Sequence, residues 1–123
     1  MHETDFSIFL RHGGGSEPVR EWLVKLGNPD KRTIGEDIKA IEFGWPRDYH
    51  PPSLVKNLDG AVCEVRSNIS DKRIARVLFA VIGSEMILLH GFIKKSQKTP
   101  KQDLDLAKDR LKQYQRSHRH GKE

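Results

Sequence analysis

From Leu54 or Ala61 to Lys94, runs rich in β-branched and aromatic residues follow one another with almost nothing between them. The strand-like runs are Leu54 or Ala61 to Ile69, Arg73 to Ile82, and Glu85 to Lys94, separated only by Ser70-Asp71-Lys72 and Gly83-Ser84. Connections this short join neighbouring antiparallel strands, so this stretch is expected to be a β-meander. The turns also fix register. A two-residue Gly-X turn sets Ile82 opposite Glu85, and continuing that ladder sets Arg76 opposite Gly91. A three-residue loop sets Ile69 opposite Arg73 and Arg66 opposite Arg76.

Helical patterns lie on both sides of the meander. A short strand is expected at Phe6 to Arg11, followed by the break Gly13-Gly14-Gly15. Ser16 then reads as the N-cap of a helix whose apolar stripe is Val19, Trp22, Leu23 and Leu26, ended by Gly27. A second helix runs from about Asp30 to near Gly44 with Ile34, Ile38 and Ile41 on one face. The segment Trp45-Pro46 through Pro51-Pro52 is a loop, because its prolines remove backbone donors. Thr99-Pro100-Lys101-Gln102 reads as a capping box, and Leu104, Ala107, Leu111 and Tyr114 give the last helix its sheet-facing stripe. The expected fold is therefore α+β: an N-terminal helical hairpin and a C-terminal helix flanking a small antiparallel sheet. One domain is expected over 1–116, with a basic, flexible tail over 117–123.

Two arginines directly opposite one another on a sheet repel, so a chain that keeps them there compensates with an acid or binds an anion. Glu64 is the nearby acid on that face. Gly91, completing the same row, would leave room above the backbone for a ligand. By strand parity His90 falls on the other face, with Leu88 and Phe92, in a core or partner-facing role.

The charge distribution points the same way. The chain carries 22 Lys+Arg against 17 Asp+Glu, a formal net charge of +5. Met1 to Cys63 holds 8 basic and 10 acidic residues, Glu64 to Lys101 holds 8 and 3, and Gln102 to Glu123 holds 6 and 4. The excess sits in the sheet and the segment after it, as an anionic polymer would require, although a solvated basic face has the same composition. Other chemistries lack their residues. Cys63 is the single cysteine, the histidines do not fall at metal-ligand spacing, and neither a nucleophile elbow nor a Walker or Rossmann glycine pattern is present. No cofactor and no metal are expected. No apolar run approaches the roughly 18 residues of a membrane span, and the acidic start is unlike a secretory signal, so a cytoplasmic protein is expected.

Arginines and lysines at this density suit phosphodiester cleavage without metal. RNA can be cut by its own 2′-OH if the reacting atoms are held in line, the phosphorane charge is stabilised and protons are moved. A lysine among other cations has a lowered pKa and can join in proton transfer.

Three motifs carry a resemblance. They are Cys63-Glu64-Val65-Arg66, Arg76-Val77-Leu78-Phe79, and Leu88-Leu89-His90-Gly91-Phe92 with Lys94-Lys95 followed by Lys98-Thr99-Pro100. In these the chain resembles the RelE/ParE toxin superfamily, and within it the HigB-like, phage-derived-protein branch of type II toxin-antitoxin systems. The resemblance implies a ribosome-dependent mRNA endoribonuclease that arrests translation. It also implies a cognate helix-turn-helix, HigA-like antitoxin, with a toxin-antitoxin heterotetramer as the corresponding assembly. Carried over by motif, Arg66, Arg76, Lys95 and Lys98 are the expected catalytic positions, and Arg73, Lys94, Lys101 and Phe92 the expected RNA contacts. Ala75 and Phe79 depart from the aromatic and the Tyr common in relatives, which removes a phenolic proton donor and leaves the general base unassigned. Two alternatives remain open: a ParE-like inhibitor of DNA gyrase without nuclease activity, and a non-catalytic module that binds antitoxin or RNA.

Overall fold

The computed structural model describes residues 6–9, 17–44, 54–83, 85–93 and 98–121. Its elements are β1 (Phe6–Phe9), α1 (Pro18–Val24), α2 (Asn28–Gly44), β2 (Val55–Asp59), β3 (Val62–Ile69), β4 (Arg73–Ile82), β5 (Glu85–Ile93) and α3 (Lys101–Gly121). The triple-glycine break, Ser16, the proline-rich loop, Ser84, Lys94 and Lys95 lie outside the described residues.

The sheet order is β1-β5-β4-β3-β2. Strands β2 to β5 form the expected antiparallel meander, and β1 adds to its edge parallel to β5. The first strand-like run is in fact two strands. Asp59-Gly60-Ala61-Val62 turns the chain back, with Gly60 at φ +58, a conformation a side chain would oppose. Asn57 Nδ2 braces that hairpin by donating to the Gly60 carbonyl at 3.1 Å.

Both turn-derived registers hold where they start: Ile82 pairs with Glu85, Ile69 with Arg73, and Arg66 with Arg76. The β4–β5 ladder then slips. Phe79 pairs with Leu88 but Leu78 with His90, so Leu89 is an extra residue on β5. Arg76 therefore faces Phe92, and Gly91 faces Val77.

Each face of the sheet has its own helical cover. Val19 and Leu23 of α1 and Ile34, Ile38 and Ile41 of α2 bury Val65, Val77, Phe79 and Leu88 on one side. Ala107, Leu111 and Tyr114 of α3 bury Val62, Leu78, Ala80, Ile87 and Leu89 on the other. Gly91 belongs to the first side. A Cβ built there would lie 2.4 Å from Trp22 Cε3, so the space expected for a ligand is filled by an indole ring. Gly91→Ala should cost about 1–3 kcal/mol through this overlap. A thermal melt followed by tryptophan fluorescence measures it, and an unchanged midpoint would contradict the packing.

The α2–sheet contact is anchored by a buried acid. Asp30, in the first turn of α2, accepts from the Ser70 amide at 3.0 Å, the Ser70 hydroxyl at 2.9 Å and Arg73 Nη2 at 2.9 Å. These bonds clamp a β3–β4 turn in which Asp71 and Lys72 both adopt positive φ. The Ser70 amide, then its hydroxyl and Arg73, hold the Asp30 carboxyl below its usual value against the opposing effect of burial. Because the folded value is depressed, the stabilisation is present above the unfolded carboxyl's pKa and is lost as pH falls through the folded one. Asp30→Asn should therefore flatten the acid limb of stability measured by urea titration from pH 6 to 3. An unaltered acid limb would argue against the anchor.

Two expectations for α3 change. Its first turn opens at Pro100, whose carbonyl accepts the Asp103 and Leu104 amides at 3.1 Å each, while the Thr99 hydroxyl turns toward Glu64 rather than capping the helix. At the other end the helix continues through Gly121, past the expected boundary at Arg116.

Candidate functional site

Alternation along β3 points Glu64 and Arg66 toward the α3 side of the sheet, and the observed register brings Arg76 of β4 beside Arg66. The Glu64 carboxylate lies between the two guanidinium groups: its Oε2 is 3.5 Å from Arg76 Nη1 and its Oε1 is 3.9 Å from Arg66 Nε. Thr99, just before α3, closes the cluster. Its hydroxyl donates to Glu64 Oε2 and lies 3.5 Å from Arg76 Nη1.

The two arginines differ in access. The Arg76 side chain is 0% exposed and that of Glu64 2%, so this is a buried ion pair whose members depend on each other. The Arg66 side chain is 17% exposed, so it is the arginine of the pair that solvent reaches. Among the described residues, two guanidinium groups face one carboxylate, an excess of positive charge that suits a phosphate. The compensating acid weighed from the sequence is thus present, beside both arginines.

Among the other expected contacts, Lys98 is exposed next to Thr99 and so lies near the cluster. Lys101 is also exposed, but its ammonium pairs with Asp105 of its own helix at 2.9 Å. Lys94 and Lys95 lie outside the described residues. Arg73 does not join the site: its guanidinium is held by Asp30 and Ser70. Phe92 lies on the right face, yet it is only 9% exposed and packs in the α3 core, so no aromatic surface is offered to a base there.

His90 corrects the parity reading. The extra residue Leu89 rotates it onto the α3 side, where Nε2 lies 2.7 Å from Asp103 Oδ1 and the ring stacks on Phe92 with centroids 5.3 Å apart. Arg110 reaches the same spot, donating through Nη1 to the Leu89 carbonyl at 2.8 Å. Its burial lowers the guanidinium's pKa from the usual arginine value. Farther along α3, burial and then the hydrogen bond to Glu85 push the Tyr114 phenol up to about 12, so it remains protonated at neutral pH.

Thr99, Asp103 and Arg110 were not singled out from the sequence as site neighbours. Lys56 was missed as well: it is exposed on β2 and paired in register with Glu64, a pairing set by an irregularity between Asn57 and Asp59 that the Asp59-Gly60 turn does not signal. Among the described residues no cluster of three His, Cys, Asp or Glu side chains is placed to hold a metal ion, and no helix is long and apolar enough to cross a membrane.

The family model described as Phage derived protein Gp49-like (DUF891) matches residues 21–112, which runs from within α1 through β5, the arginine cluster and the first half of α3. No curated protein matches the chain.

Proposed function

Since the chain belongs to the Gp49-like family of RelE/ParE-like toxin-antitoxin proteins, we propose that it is a HigB-like, ribosome-dependent mRNA endoribonuclease. A toxin family implies an antitoxin partner, and the proposed one is a HigA-like helix-turn-helix protein that neutralises the toxin, as part of a heterotetramer. Translating ribosomes place its work in the cytoplasm.

The observation that carries this reading is the Arg66–Glu64–Arg76 cluster, in which a partly exposed arginine stands beside a buried ion pair. In the proposed reaction the ribosome holds mRNA so that a 2′-oxygen attacks the adjacent phosphorus in line. The bond to the 5′-oxygen breaks, leaving a 2′,3′-cyclic phosphate and a 5′-hydroxyl. Arg66 binds the phosphate and stabilises the charge that grows on its oxygens. Arg76 holds Glu64 and adds positive potential from behind. Lys95 and Lys98 are the proposed proton-transfer residues, with Lys94 and Lys101 as RNA contacts. The guanidinium and ammonium groups supply the required charge without a metal.

Controlled expression with growth recording and primer extension tests this reading. Growth arrest with mRNA cuts in register with the reading frame is the expected result. Arrest without cuts would redirect the assignment to a gyrase-type target. No arrest would leave a binding module, a reading favoured by the complete burial of Arg76, since a wholly covered guanidinium cannot itself touch RNA.

A further inference from the structure

The bulge at Leu89 does more than reorient one histidine. Arg110 Nη1 approaches His90 Nδ1 at 3.5 Å, on the side of the ring away from α3's first turn. The other ring nitrogen, Nε2, faces Asp103 Oδ1 at 2.7 Å. With both ring nitrogens taken by protein groups and one ring face stacked on Phe92, His90 is not presented to a substrate.

Its effect passes through Asp103. That residue lies in the first turn of α3, where its own amide and that of Leu104 hold the Pro100 carbonyl. Pro100 is joined to Thr99, whose hydroxyl bonds Glu64 and approaches Arg76. A continuous path therefore runs from the β5 bulge through His90, Asp103 and Pro100 to the arginine cluster. We propose that His90 and Asp103 are positioning residues that set Thr99 and Lys98 over the Arg66–Arg76 pair. The proposal deepens the RNA-cleavage reading and rests on it for its kinetic consequence.

The fold supplies a matched control. The Tyr114 hydroxyl donates to Glu85 at 2.9 Å, docking the same helix on the same sheet away from the cluster. His90→Phe and Tyr114→Phe each remove a helix–sheet hydrogen bond while keeping a ring. Thermal melts of both, cleavage kinetics on translating ribosomes, and NMR of the Thr99 methyl and Arg76 guanidinium signals separate positioning from mere docking. His90→Phe should lower kcat about tenfold to a hundredfold, the scale of a misplaced group, with KM within about twofold. It should also shift the Thr99 and Arg76 signals. Tyr114→Phe should do neither. Should His90→Phe fail to fold, Asp103→Ala is read in the same way.

Equal kcat losses in the two variants, an unaffected kcat in His90→Phe, or unmoved Thr99 and Arg76 signals would overturn the proposal. A wild type that cuts no mRNA, whose Thr99 signal still moves in His90→Phe but not in Tyr114→Phe, would remove the cleavage reading and uphold the positioning.

Discussion

Arg66→Gln is expected to reduce mRNA cleavage at least about a hundredfold and to release growth arrest, while leaving the fold within about 1 kcal/mol of the wild type. The two halves of that expectation come from the same geometry. Arg66 is partly exposed and its Nε lies 3.9 Å from Glu64 Oε1, too far for a hydrogen bond, so the Glu64 pairing that the change removes is a weak one. The buried Glu64 retains Arg76 and Thr99 as partners. If Arg66 is the group that meets the phosphate, its loss removes stabilisation of the phosphorane, and a single preorganised donor in that role supplies about 3–4 kcal/mol. Single-turnover cleavage on programmed ribosomes, beside a urea titration, measures both halves. Cleavage and arrest that persist in a folded Arg66→Gln protein would defeat the nuclease assignment at this site.

The route to Arg66 and Arg76 was legible because turn length fixes register near each turn. Ser70-Asp71-Lys72 and Gly83-Ser84 led correctly to Ile69 opposite Arg73 and Ile82 opposite Glu85, and the first of these carried through to the arginine pair. The apolar spacings in α1, α2 and α3 were equally readable, since burial on one face imposes the helical period. The β5 bulge was not. Leu88 and Leu89 are both buried, one on each face, and two adjacent leucines look the same in a regular strand as in a bulged one. One unmarked residue reversed everything beyond it: His90 joined the α3 face, and Gly91 left it for Trp22. Arg73 illustrates a different limit. Its charge is evident in the sequence, but its capture by Asp30, forty-three positions earlier, depends on the tertiary docking of α2.

Arg76 carries the second large expectation, and it separates structure from chemistry. Arg76→Met leaves Glu64 buried without its closest guanidinium, a change that typically costs about 3–5 kcal/mol. Adding Glu64→Leu removes the stranded charge, and a well-packed apolar pair in place of a buried ion pair is often neutral in stability. The double variant is therefore expected to recover most of the loss in a urea titration while remaining unable to cut mRNA. Recovery follows from burial: the Thr99 hydroxyl that loses Glu64 is only partly buried and can turn to water. Continued inactivity follows from the proposed positioning, because the double variant keeps the cluster's net charge but loses the carboxylate that Thr99 and Arg66 both face. A double variant that regains both stability and growth arrest would show the ion pair to be scaffolding alone. Toxicity would then have to come from another surface, as in the gyrase-inhibitor alternative. A double variant as unstable as Arg76→Met would instead show that the space around Glu64 cannot close over apolar groups. In that case the charged pair is retained for the packing that Thr99 and the first turn of α3 require.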